Sequence, residues 1–254
     1  MSTLYHRYQR TDEARRKMSQ DPKQLIECMA SFVTACMGNH DPSHNPAHVH
    51  RVVSLAQSIL RAEQSLFPEK KYDSTVVTLA ALLHDIGDRK YLSNVTGFGS
   101  DASVQLNPNK MVEHVLLKHG ADPLLAERVQ TIVSHVSFTT ECADPDRVAR
   151  LIATEGEHGY AELAIVQDAD RLDALGAIGI GRTFTFLGAQ GRKMVPEGGV
   201  WEMDNSIRHF GEKLERLEGM MKTQTGREMA KLRTDRLRQF RGWWEEEMDL
   251  ARES

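Results

Sequence analysis

The segment Val76-Val77-Thr78-Leu79-Ala80-Ala81-Leu82-Leu83 constrains this chain more than any other, because as a helix it is apolar on nearly every side. Such a helix belongs in the middle of a bundle, with other helices packed around it. It runs directly into His84-Asp85, and Ile86-Gly87 follows, so the helix ends where its first charged pair appears. A carboxylate placed there is costly to bury unless a cation meets it.

The surrounding sequence supplies the other layers, all with helical period. Helices are expected from Leu25 to Met37, from Pro46 to Leu66, from Asp73 to Asp85, near Lys110 to Lys118, from Pro123 to Val136 and from Ala161 to Leu175. Pro46 suits a first helical turn. Leu92–Pro108 is rich in Gly, Ser and Asn and reads as a long loop of the kind used for lids or binding. Thr140–Tyr160 reads as acidic and irregular. After the Gly-rich interval 188–199, Ile207, Phe210, Leu214, Leu217 and Met221 repeat at heptad-like spacing, and a last helix carries Met229, Leu232, Leu237, Phe240, Trp244 and Met248. These two are expected to form a hairpin, 204–250, that closes the bundle. Strand-like alternation is absent, so the class is all-α, read as one helical domain over 1–254 with its core motifs in 41–184.

Composition narrows the function. The chain has 32 basic and 36 acidic side chains, well interspersed, for a net charge of −4. That argues against a nucleic-acid platform, so an anionic substrate must be held by a local basic cluster or a metal. Cys28, Cys36 and Cys142 are too few and too scattered for a disulfide framework. No window is apolar enough to span a membrane, and the first residues lack a secretory core. The expected compartment is the cytoplasm, with the nucleus left open.

Asp168, Asp170, Arg171 and Asp173 follow Leu163-Ala164-Ile165-Val166, a second apolar run that ends in carboxylates. Two apolar helices that both end in acids point to a shared polar centre. His48, His84, Asp85 and Asp170 then form a mixed N/O set suited to one divalent ion: Mn²⁺, Ni²⁺, Co²⁺, Fe²⁺, Zn²⁺ or Mg²⁺. The fragments HVHRVVSLA, LAALLHDIGDRK, TIVSHVSF and IVQDADRLDALGAIGIGR together resemble the HD-domain superfamily of hydrolases. More narrowly they resemble small HD nucleotide pyrophosphohydrolase-like proteins of bacteria and fungi. The resemblance implies an HD-domain helical bundle with His48, His84, Asp85 and Asp170 as metal ligands, manganese favoured. One departure is His44-Asn45, where relatives carry His-Asp.

The resemblance also implies a phosphohydrolase acting on a nucleotide or similar small phosphate ester, with (d)NTP cleaved to (d)NMP and pyrophosphate as the first expectation. His84 and Asp85 are then catalytic as well as ligating, and Asp88 is the candidate base or water-orienting acid. Lys90, His135 and Arg171 are candidate substrate contacts. Arg51, one turn after His48, either clamps phosphate or pairs with Asp85 or Asp170. Asp173 is expected to orient His84 or another ligand. The alternatives are a nucleoside monophosphate phosphatase, a dinuclear phosphodiesterase or oxygenase drawing on His114 and His135, and a non-catalytic binding module on the same scaffold. The tryptophans at 243 and 244 fit either a homodimer or a hairpin packed on its own core.

Overall fold

The computed structural model describes residues 21–86, 107–154, 156, 159–195 and 198–252, and every regular element among them is helical. Asp88, Lys90 and most of the loop expected at 92–108 lie outside the described residues. No helix among them is long and apolar enough to cross a membrane.

Helix α1 (Pro22–Met37) and helix α2 (Pro46–Leu66) both start with proline, and a side chain caps each. The Asn45 Oδ1 accepts from the Ala47 N–H at 3.0 Å. Helix α3 (Ser74–Leu83) is capped by Asp73, whose Oδ1 accepts from Thr75 and Val76. All eight residues from Val76 to Leu83 are buried, and α3 packs against α1, α2, α5 and α8. It stops at Leu83, two residues earlier than its apolar run implied, so His84 and Asp85 sit in the turn that follows.

Next come α4 (Met111–Lys118) and α5 (Pro123–Val133). The stretch expected to be irregular instead forms two short helices, α6 (Phe138–Ala143) and α7 (Pro145–Ala153). Ser137 and Asp144 each cap one of them, so local caps outweigh the density of charge. Helix α8 (Ala161–Asp173) packs on α2 and α3, and Gly176 at φ +69° makes the tight reversal into α9 (Gly176–Phe186). At the other end of α3, buried Glu162 of α8 accepts from the Asp73 N–H at 2.9 Å and from Arg128 of α5 at 2.7 Å.

The C-terminal hairpin differs from its expectation in two respects: Leu232, read with the apolar series of the last helix, is exposed, and the first helix is interrupted. Helix α10 (Asp204–Glu212) gives way to a 3₁₀ segment, Leu214–Met220, before α11 (Gln224–Arg252). The five apolar residues of the repeat are all buried regardless, because three residues per turn keep Leu214 and Leu217 on one side. Phe184, Phe210, Phe240 and Trp244 form an aromatic cluster with ring centroids 5.6–6.4 Å apart. The Trp244 indole donates to Asp204 at 2.8 Å, whereas Trp243 is exposed.

Two buried carboxylates hold the start of α11. Asp168 accepts from the N–H groups of Lys222 and Thr223 and from the Thr223 hydroxyl, and Glu63 accepts from the N–H and hydroxyl of Thr225. Anions suit a helix N-terminus. Burial, the largest influence on Asp168, raises its carboxyl above the ordinary value despite these donors. Asp168 is therefore an anchor for α11 and stands apart from the polar centre that Asp170 joins. Gly226 passes so close that a Cβ there would lie 2.2 Å from the Asp168 Oδ2. Gly226→Ala is expected to cost about 1–3 kcal/mol by overpacking, seen as a lower midpoint in thermal circular dichroism. Gly242→Ala, in open space within α11, should raise the midpoint slightly.

Candidate metal centre

The centre forms where the end of α3 meets the first turn of α2 and the last turn of α8. His48 and His84 are its floor, with side chains 1% and 2% exposed, and Asp85 and Asp170 form its rim at 23% and 30%. The Nε2 atoms of the two imidazoles lie 3.2 Å apart. The Asp85 Oδ2 is 3.5 Å from each of them, and the Asp170 Oδ1 is 3.7 Å from each. The ligand atoms of His48, His84 and Asp170 all fall within 4.8 Å of one another.

The hydrogen bonds behind the rings fix which nitrogen carries a proton. The His84 Nδ1 is 2.9 Å from the carbonyl oxygen of Ala81, which can only accept, so Nδ1 donates and Nε2 keeps a lone pair. The His48 Nδ1 donates to the Asp173 Oδ2 at 2.7 Å, so in the neutral ring its Nε2 is bare as well. Two bare nitrogens therefore face each other beside Asp85 Oδ2, a buried oxygen with no donor among the described residues. Such a group is unfavourable unless a positive charge sits among the lone pairs. The electrostatics agree. Burial opposes the charged form of Asp85, yet the imidazoles of His84 and His48 hold its carboxyl well below the usual range. Burial alone would lower the His48 imidazole, but the neighbouring carboxylates of Asp173 and Asp85 raise it. A proton on His48 or a divalent cation meets the same demand, and the two imidazoles with two carboxylates fit a borderline divalent ion.

Asp173 supports the floor. Its carboxylate accepts from His48, from Nε and Nη2 of Arg51 at 2.7 and 3.0 Å, and from Nη1 of Arg182 at 2.9 Å. Burial works against the anion, but these donors keep its carboxyl well below the ordinary value. Arg182 also donates through Nε to the carbonyl oxygen of Ser43, which ties the loop before α2 to α9. In that loop Ser43 donates to the Asp41 carboxylate and stands 2.7 Å from the His44 Nδ1.

The structure thus brings His48, His84, Asp85 and Asp170 together as the sequence implied. Arg51 is beside them but pairs with Asp173, not with Asp85 or Asp170, and Asp173 orients His48, not His84. His135 is buried, with its Nδ1 donating to the Thr131 carbonyl oxygen and its own carbonyl oxygen accepting from Gln167. Arg171 turns elsewhere: it is buried between the Glu141 carboxylate and the carbonyl oxygen of Met220, and Lys222 completes that network. His114 is exposed on α4. Sequence reasoning missed Arg182 as part of the site. Its only signal was a place nine residues after Asp173, on a helix not recognised as reaching back.

Comparison with known proteins places these residues in a shared frame. A family model described as the HD domain matches residues 47–175. The YpgQ protein of Bacillus subtilis is 33% identical over 215 residues, which is 84% of this chain and 89% of that protein. The crystal structure of that YpgQ in complex with ADP superposes with a TM-score of 0.60 at 27% identity, covering 89% of this chain and 96% of that one. An HD-superfamily hydrolase from Bacillus thuringiensis gives 0.58 at 27% identity, covering 90% and 99%.

Removing the support behind His48 should weaken the centre without emptying it. Asp173→Asn is expected to lower Mn²⁺ affinity about 10–100-fold, measured by calorimetric titration of metal-stripped protein that circular dichroism shows to be folded. The His48 proton and the ion compete for one lone pair. Below the raised pKa of His48, affinity should therefore fall about tenfold per pH unit; a flat profile between pH 5 and 8 would refute this arrangement.

Proposed function

Because the chain belongs to the HD-domain family, we propose that it is a metal-dependent phosphohydrolase that cleaves a (d)NTP to (d)NMP and pyrophosphate. The observation that carries this reading is the bare nitrogen pair of His48 and His84, with the donorless Asp85 oxygen beside them. That grouping supports a bound cation, which the hydrolytic reading requires. A relative crystallised with ADP supports a nucleotide as the ligand class. The three cysteines form no disulfide among the described residues, which accords with a cytoplasmic setting.

A divalent ion, manganese in our reading, held by His48, His84, Asp85 and Asp170, supplies Lewis acidity that acidifies water and polarises a phosphoryl oxygen. The chain's own residues then position and move protons. Asp173 keeps the Nδ1 proton of His48 in place, so the Nε2 lone pair stays directed into the site. Arg51, one-third exposed, has two nitrogens on Asp173 and contributes the third to a phosphate oxygen. Water adds to phosphorus, the bond between the α- and β-phosphates breaks, and Asp88 takes the proton while pyrophosphate leaves. Asp88 as base and Lys90 as phosphate donor rest on the sequence motif alone. His135 is a further substrate contact in this reading. Both terminal nitrogens of Arg171 are taken by Met220 and Glu141, so its part is to hold the frame.

The test is a screen of (d)NTPs, (d)NMPs and generic phosphodiesters with Mn²⁺, Co²⁺, Ni²⁺ and Mg²⁺ in turn, with phosphate and pyrophosphate followed separately. Pyrophosphate from a triphosphate is expected, strongest with Mn²⁺ and lost, by about 10³-fold or more, in the folded His84→Ala/Asp85→Ala double variant. Free phosphate without pyrophosphate from a triphosphate would overturn the bond assignment. Phosphate from monophosphates alone would make the chain a phosphatase, and no turnover of any ester would leave only the binding module.

A further inference from the structure

Helix α11 presents to solvent a face that is complementary to itself. Its buried or half-buried side, with Ala230, Thr234, Leu237, Phe240 and Trp244, packs on the core. On the opposite side Leu232, Arg236, Gln239, Trp243, Glu246 and Leu250 are all exposed. At 100° per residue these six fall within about 80° of arc. Leu232, Trp243 and Leu250, 65%, 60% and 65% exposed, are the large apolar side chains of this stripe.

Charge along the helix is segregated. From Lys231 to Arg241 there are five basic residues and one acid, and from Glu245 to Asp249 four acids and no base. Acids in the last turns oppose the helix dipole, so the helix gains nothing from this order by itself. Turned antiparallel against a copy of itself, it gains a great deal. With a two-fold axis level with residue 241, Leu232 meets Leu250, Arg236 meets Glu246 and Gln239 meets Trp243, each pair occurring twice. Neither Arg236 nor Glu246 makes an ion pair among the described residues.

From this register we infer that α11 pairs antiparallel with α11 of a second copy, through an isologous contact centred at residue 241. The stripe is about 27 Å long, at the small end of specific interfaces, so the association depends on concentration.

Sedimentation velocity on the full chain, from about 1 µM to several hundred micromolar, tests it. The wild type should pass from monomer to dimer across that range, and Trp243→Asp should remain monomeric with unchanged circular dichroism. Arg236→Glu and Glu246→Arg should each weaken the dimer about tenfold or more, because each sets like charges opposite one another. The double variant restores opposite charges in both copies and should recover the wild-type constant. A wild type that stays monomeric throughout, or a dimer indifferent to Trp243→Asp, overturns the inference. So does a double variant no better than the singles, since only the antiparallel register pairs 236 with 246.

Discussion

The carboxylate of Asp173 is the interaction on which the centre rests. It is 2% exposed, and a bare carboxylate at such a place would carry a heavy desolvation cost. Four donors from two helices offset it: His48 and Arg51 from α2, and Arg182 from α9, meeting a residue at the end of α8. The same contacts that make Asp173 tolerable set the tautomer of His48 and the position of Arg51. Packing and chemistry are therefore one problem here, because the residue that closes the α2–α8–α9 junction is also the one that directs a lone pair into the site.

Helix α3 provides the other half of that logic. Its apolar surface is covered by four neighbours, and its two ends are fixed differently. At the start, buried Glu162 accepts from the N-cap residue and from Arg128. At the end, the chain leaves the helix at Leu83 and delivers His84 and Asp85 into the polar centre. An adjacent pair can face a single point only where the backbone turns, so the early stop of α3 is what lets both reach it. The Asp85 oxygen without a donor remains as the sign that something cationic belongs there.

The C-terminal third uses buried carboxylates for a different purpose. Asp168 and Glu63 grip the first turn of α11, the aromatic cluster holds its middle, and the outer face faces solvent. Three neighbouring acids on α8, at 168, 170 and 173, consequently take three separate places: anchor for α11, rim of the candidate centre and support for His48. Their helical angles send them to different partners.

The sequence alone determined the all-α class, the extent of α2 and the burial of α3, and it named four residues that the fold gathers at one point. Those depend on local periodicity and on motifs whose residues are contiguous or nearly so. It did not reveal that Asp173 serves His48, that Arg51 pairs with it, that Arg182 returns from α9, or that Arg171 belongs to the Glu141 network. Each of these joins residues from different helices, and spacing along one helix says which side a side chain takes but not which neighbour it meets. The helices at 138–153 and the 3₁₀ segment at 214–220 were hidden for a related reason: short elements are decided by caps and by the surface they pack against. His48, His84, Asp85 and Asp170 could thus be singled out as candidate ligands from the sequence, while only the tertiary structure, by bringing the ends of α3 and α8 onto α2, decided how they face one another.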